Sequence, residues 1–205
     1  MGAGAAYAEI PDEVVVGGVF DITGNWATEG EEGKTAAQLA ILDFNEYLED
    51  IGADWRMKMR VEDAQAIGSV AFDKVQTLHG SGINILLGMA FSSPLSLSTG
   101  YIESNNMLAL SCCSQAGNLA VDDNIFRLVP NDNNQAPAVN AMIEDSGIEV
   151  LVMVTRGDTW GDGIRDTLAG IYDGTIVAGF RYNPDAIDFS AEISLLDKQL
   201  GELVD

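Results

Sequence analysis

Hydroxyls, amides and aromatic rings make up the chemical inventory of this chain, while titratable catalytic pairs are missing from it. The single histidine, His79, ends a helical pattern beside Gly80, where it reads as a capping or solvent-facing group. Without a second histidine or a CxxC spacing, zinc and copper have no ligand set. The segment Gly17 to Gly24 reads GGVFDITG, which lacks the GxGxxG spacing of a dinucleotide loop, and no GxxxxGKS or GxxxxGKT phosphate loop occurs. GxSxG is absent, and Ser92 and Ser93 have no histidine nearby in sequence to activate them. Asp122-Asp123 and Glu31-Glu32 read as a loop and a helix start rather than a catalytic carboxylate pair. The expectation is a protein that is not an enzyme, with no catalytic residue, cofactor or metal.

Polar groups do gather where open α/β sheets bind ligands, at the carboxyl ends of parallel strands. They are Thr23 to Thr28 with Trp26, then Phe91-Ser92-Ser93, then Ser111 to Gln115, and later Asp158-Thr159-Trp160-Gly161. Hydroxyls and free N–H groups at helix starts suit a carboxylate; aromatic rings and a carboxylate suit an ammonium group and an apolar side chain. Each piece has a structural alternative. Ser92-Ser93-Pro94 is an ordinary capped helix start, Trp160 a packing aromatic and Trp26 a loop anchor. The adjacent Cys112 and Cys113 are expected to stay unbonded to each other and to fill small buried sites as free thiols.

The elements that position these groups follow from hydrophobic period. A buried strand fits Glu13 to Phe20, and a helix over Glu31 to Asp50 carries an apolar stripe of Ala37, Leu39, Ala40, Ile41, Phe44, Tyr47 and Leu48, closed by Gly52. Strands at 56–62, 83–87 and 107–110 alternate with helices at 69–79 and to about Asn105. Strand-then-helix repetition demands a parallel sheet with crossover helices on both faces. After a loop rich in Asp and Asn, a short strand at 125–128 opens a second unit with helices near 133–145, 162–172 and from 190, and strands at 149–155 and 175–181. Two or three strands make a poor self-contained sheet, so the second unit reads as incomplete. The domain expectation is a flexible leader over 1–12, an α/β lobe over 13–124 and a partial second α/β lobe over 125–205.

Composition bounds the partners. The chain has 205 residues, 32 Asp and Glu against 10 Lys and Arg, a net charge of -22 and 47% hydrophobic residues, enough apolar content to bury a core. That charge repels phosphate backbones and anionic headgroups, which argues against nucleic acid and peripheral membrane binding. No apolar run reaches the ~18 to 20 residues of a bilayer span, so this segment is not expected to insert in a membrane. Met1 to Glu9, MGAGAAYAE, fits either the tail of a signal-peptide cleavage region or a plain leader.

The order of these segments resembles the periplasmic solute-binding proteins of the branched-chain amino acid type, receptors of ABC importers, and their relatives that bind amides, urea or aromatic acids. The resemblance is carried by VVVGGVFDITGNWATEGEEGKTAAQLAILDFN, ILLGMAFSSPLSLS, MLALSCCSQAGNLA, FRLVPNDNNQAPA and VLVMVTRGDTWGDGIRD, and runs from Val14 to the last residue. It implies a type I periplasmic binding fold of two Rossmann-like lobes that close on a ligand like a hinged clam. By position it implies that Ser92, with Ser93 beside it, takes a ligand carboxylate, that Ser114 and Gln115 hold carboxylate and ammonium groups, and that Asp132 is the acidic residue at the lobe crossing. Trp160 matches the aromatic cover from the second lobe, and Trp26 lies in the loop that adds an aromatic wall. Gln115 in place of a hydroxyl residue and Cys112 in place of proline depart from an α-amino-acid pattern. The later part of the second lobe, which supplies the acidic ammonium partner, is expected beyond Asp205.

The function the resemblance implies is an extracytoplasmic receptor, periplasmic or at the cell surface with or without a lipid tether. It would bind a small polar ligand such as an amino acid, amide or urea-like molecule and pass it to the membrane subunits of an ABC importer. The alternative is a ligand-sensing module of a receptor, or an amide or urea sensor, with the same fold.

Overall fold

The computed structural model describes residues 11–202, so the expected leader lies outside the described residues except for Pro11 and Asp12. The first lobe is a five-stranded parallel sheet: β1 (Glu13–Phe20), β2 (Arg56–Asp63), β3 (Ile85–Gly88), β4 (Leu108–Ser111) and β5 (Ile125–Arg127), in the order β2-β1-β3-β4-β5. Between them run α1 (Ala27–Asp50), α2 (Gly68–Gly80) and α3 (Ser92–Ser104). The central strands β1, β3 and β4 bury Val19, Leu86 and Ala109 under α2 and α3, whose Ala71, Val75, Leu78, Leu95 and Ile102 face them, while Val16 is buried on the other face of β1. The burial of both sheet faces explains why these strands read as apolar runs. Edge strand β2, by contrast, carries Lys58 and Arg60, charges that discourage pairing with another chain.

Two boundaries differ from expectation. The strand at 125–127, expected to open the second lobe, pairs with β4 and so belongs to the first sheet. Its three residues are too few for their pattern to reveal a partner. Helix α1 begins at Ala27, four residues before the expected start, which makes Trp26 its N-cap residue. Of the expected apolar stripe on α1, Leu48 is buried and Ala37, Ile41 and Phe44 are half-buried, while Leu39, Ala40 and Tyr47 face outward.

The second unit holds α4 (Asp132–Asp145), β6 (Val150–Arg156), α5 (Thr159–Ile171), β7 (Thr175–Tyr182) and α6 (Ser190–Gly201), with β6 and β7 parallel. It is partial, as the pattern predicts. Val150, Val152 and Val154 alternate along one face of β6 at 56%, 40% and 51% exposure, values typical of a sheet face that nothing covers. A hollow of about 460 Å³ lies against the same sheet, lined in part by Met153, Ile176, Phe180 and Gln199.

Candidate functional site

The loops after β1, β3 and β4 meet where the strand order reverses, beside β1 and β3. Each is held by specific bonds. After β1, the Asp63 carboxylate accepts N–H bonds from Ile22 (3.1 Å), Thr23 (3.2 Å) and Gln65 (3.0 Å) and a hydroxyl bond from Thr23. Partial burial pushes its pKa up, but the Thr23 hydroxyl and those backbone donors outweigh burial and hold it below the usual carboxylate range. Asp63 thereby ties the loop that carries Trp26 to the end of β2.

After β3 the chain passes through Gly88 at φ +108°, where a Cβ would stand 2.2 Å from the Val19 carbonyl oxygen, so only glycine fits. Met89 follows, buried, and its carbonyl accepts from Ser114 Oγ (2.8 Å), with Ser111 Oγ 3.0 Å from both. Ser92 Oγ accepts from the Ala116 N–H at 3.1 Å. Ser92 therefore does not cap α3, whose N-cap residue is Phe91 with no side-chain bond. Ser92 and Ser114 are both buried, and the Ser114 hydroxyl is spent on joining the β3 and β4 loops. Gln115 is half-buried, and its carbonyl accepts from the Asp132 N–H at 2.8 Å.

Between Ser111 and Ser114 the structure corrects the cysteine expectation. Cys112 and Cys113 are exposed, not buried, and are joined as a vicinal disulfide.

The second lobe meets these loops through the end of β6 and the start of α5. Asp158 caps α5 by accepting from the Gly161 N–H (2.9 Å), and a Cβ on Gly161 would fall 2.1 Å from the Arg156 carbonyl oxygen. This tight start places Thr159 and Trp160 in the first helical turn rather than in the loop that the sequence suggested. Ser93 Oγ lies 3.2 Å from Thr159 Oγ1 and accepts from the Thr159 N–H at 3.3 Å. The Arg156 guanidinium stands over the Trp26 ring, 5.3 Å from its centroid, while Trp26 packs on Phe91 at 4.9 Å. Arg156 Nε also lies 2.5 Å from Asp158 Oδ2, an ion pair at an angle that makes no hydrogen bond.

Asp132 is 1% exposed, and its Oδ2 has no hydrogen-bond partner among the described residues. Burial raises its pKa to about 6, opposed by the indole N–H of Trp160. An unpaired buried carboxylate oxygen is costly and is ready to accept from an incoming N–H or O–H group.

Of the seven expected residues, Ser93 and Trp26 contact Thr159 and Arg156 of the second lobe, Asp132 lies beside Trp160, and Ser92 and Ser114 brace the loops after β3 and β4. Gln115 bonds Asp132 through its backbone carbonyl alone. His79 lies away from these residues, its Nδ1 2.8 Å from the Tyr101 hydroxyl. Sequence reasoning missed Arg156; Phe91 and Thr159 lie in strand-end segments it singled out, without a role of their own. Arg156 is the last residue of β6, so the rule that ligands gather at strand ends points to it; a lone arginine beside Asp158 reads instead as a surface ion pair.

A family model of periplasmic binding proteins matches residues 13–198. An uncharacterized protein of Methanocaldococcus jannaschii is 31% identical over 198 residues, which cover 92% of this chain and 48% of that protein. Among solved structures, a type 1 periplasmic binding protein from Bordetella pertussis is similar with a TM-score of 0.78 and 18% identity, over 92% of this chain and 54% of that one. The substrate-binding protein LivJ of a branched-chain amino acid transporter from Streptococcus pneumoniae, solved with isoleucine, gives 0.75 and 18%, over 90% and 54%. A solute-binding protein of an ABC transporter from Rhodopseudomonas palustris, solved with 3,4-dihydroxybenzoic acid, gives 0.72 and 16%, over 90% and 51%. The structural likenesses establish the fold, and this chain spans about half the length of the proteins it matches.

Proposed function

We propose a solute-binding role from one premise: the chain belongs to the periplasmic binding protein family, whose model covers residues 13–198. The reading is an extracytoplasmic receptor that binds a small polar ligand, such as an amino acid, amide or aromatic acid, and presents it to the membrane subunits of an ABC importer. One observation carries it. Polar and aromatic side chains from two lobes, Ser93 with Thr159 and Trp26 with Arg156, converge at the carboxyl ends of parallel strands, and no metal-ligating cluster stands among the described residues.

The binding chemistry follows from those groups. The starts of α3 and α5, joined through Ser93 and Thr159, carry positive dipole ends, which favour a carboxylate nearby. Ser92 accepts a bond from Ala116 and keeps its own hydrogen to donate to a ligand oxygen. The open Oδ2 of Asp132 accepts an ammonium or hydroxyl hydrogen, and Trp160 covers it. Contacts to both lobes make closure and binding one event, since a ligand favours the closed state only by touching both sides.

Isothermal titration calorimetry on the full-length protein against amino acids, short amides, urea and aromatic acids tests this. Saturable binding with micromolar or tighter affinity is expected for at least one class. Flat titrations across the panel would overturn the receptor reading.

A further inference from the structure

Cys112 and Cys113 are the only cysteines of the chain, so their disulfide has no competing partner within it. A disulfide stabilises a fold mainly by closing a loop of the unfolded chain, and a bond between neighbours encloses no loop. This bond therefore adds little to global stability, and both of its residues are exposed, where a thiol in solution reaches them. What it constrains is local: it closes a small ring through the peptide that joins the two residues and so limits their backbone torsions.

The residues on either side of that ring are anchored inward. Ser114 Oγ donates to the Met89 carbonyl at 2.8 Å, and Ser111 Oγ lies 3.0 Å from both. The Gln115 carbonyl accepts from the Asp132 N–H at the start of α4, and the Ala116 N–H donates to Ser92 at the start of α3. Met89 itself stands at φ +50°, a left-handed conformation that is unfavourable for a residue with a side chain and persists where its surroundings hold it. The two cysteines are thus the exposed turn of a loop on which the end of β3 and the starts of α3 and α4 all depend.

We propose that Cys112–Cys113 is a thiol–disulfide exchange site and that its oxidation state sets the order of the loop after β4. A dithiol reductant supplies the two electrons. One of its thiolates attacks a sulfur of the pair, the S–S bond breaks, and the other cysteine leaves as a thiolate that takes up a proton. The second thiol of the reductant then displaces the first cysteine from the mixed disulfide, which leaves two protein thiols and an oxidised, cyclic reductant. Opening the ring returns torsional freedom to residues 112 and 113, and the loosening passes to Ser114, whose hydroxyl holds the Met89 carbonyl. In the oxidised form the loop is pinned; in the reduced form Ser114 and Met89 open and close. An effect on ligand affinity would rest on the solute-binding reading, whereas the exchange and the response of the loop do not.

Hydrogen exchange read by mass spectrometry on the full-length protein, oxidised and after treatment with dithiothreitol, tests this without a variant. The folded protein should yield two reactive thiols only on reduction, both from the pair. Amides of residues 112–116 should then exchange about 10-fold faster or more, while those of β1 keep their protection. Reoxidation should restore the slow rate. Cys112→Ser combined with Cys113→Ser should exchange at the reduced rate whether or not dithiothreitol is present. Thiols that are free before reduction, or that appear only once the chain is unfolded, would overturn the proposal. So would equal exchange of 112–116 in the two states, or a dithiothreitol response that survives in the double variant. A solute receptor would stand after any of these failures, since calorimetry decides that reading separately.

Discussion

Asp132 shows how a buried side chain can be legible in kind but not in state. Its place at the lobe crossing could be read from the sequence; the missing partner for Oδ2 could not, because it depends on how α4 seats against the β4 loop. Its folded pKa of about 6 lies above the ordinary 3.8, so its contribution to stability is fully present below about pH 4 and is lost as pH rises through 6. Asp132→Asn is therefore expected to be more stable than the parent at pH 7.5, by on the order of 2 to 3 kcal/mol, with the gap closing between pH 6 and pH 4. Urea unfolding at pH 7.5 and pH 4 measures this, and a gap that widened on acidification would refute the assignment. Trp160→Ala should weaken ligand binding by about 1 to 3 kcal/mol, while His79→Ala, bonded to Tyr101 outside the site, should leave affinity unchanged. At Cys112 and Cys113 the sequence argument failed because it weighed the geometry of adjacent cysteines and not the exposed loop that presents them. Thiol titration of the unfolded, unreduced chain should find no free thiol, and two after reduction with a dithiol; two before reduction would contradict the bond.

Elements were the most readable level. Strands β1, β3 and β4 announce themselves because both faces are buried, leaving uninterrupted apolar runs such as EVVVGGVF and ILLG. Helix starts were less readable: α5 begins three residues early because Asp158 caps it from inside a segment that looks like a polar loop, and α1 begins four residues early, at Ala27, with no side-chain cap to signal it. The sheet membership of β5 was hidden in its brevity. Leu86, fully buried at the centre of the first sheet, is the place to test that core: Leu86→Ala should cost about 2 to 5 kcal/mol of stability. The two sheets should also differ in protection. In hydrogen exchange on the 205-residue chain, β6 and β7 amides are expected to exchange far faster than those of β1 and β3, because a two-stranded sheet with an exposed valine face opens at little cost. Equal protection would mean that the second sheet is covered in solution.

At the scale of the whole molecule, charge and the meeting of lobes dominate. With a net charge of -22, self-repulsion opposes compactness, so the melting temperature should rise as sodium chloride is raised from low to moderate ionic strength; a fall would mean that ion pairs such as Arg181–Asp162 outweigh the repulsion. The central claim is that ligand binds where the lobes meet, and the three tryptophans report on it separately. Trp26 and Trp160 stand at that meeting, whereas Trp55 packs on Phe44 beside α1. The most direct measurement is intrinsic fluorescence of the full-length protein during ligand titration, repeated in Trp26→Phe, Trp160→Phe and Trp55→Phe. A saturable change that diminishes in the first two variants and persists in the third is the predicted result; a change carried by Trp55, or none with any ligand that calorimetry shows to bind, would contradict the account.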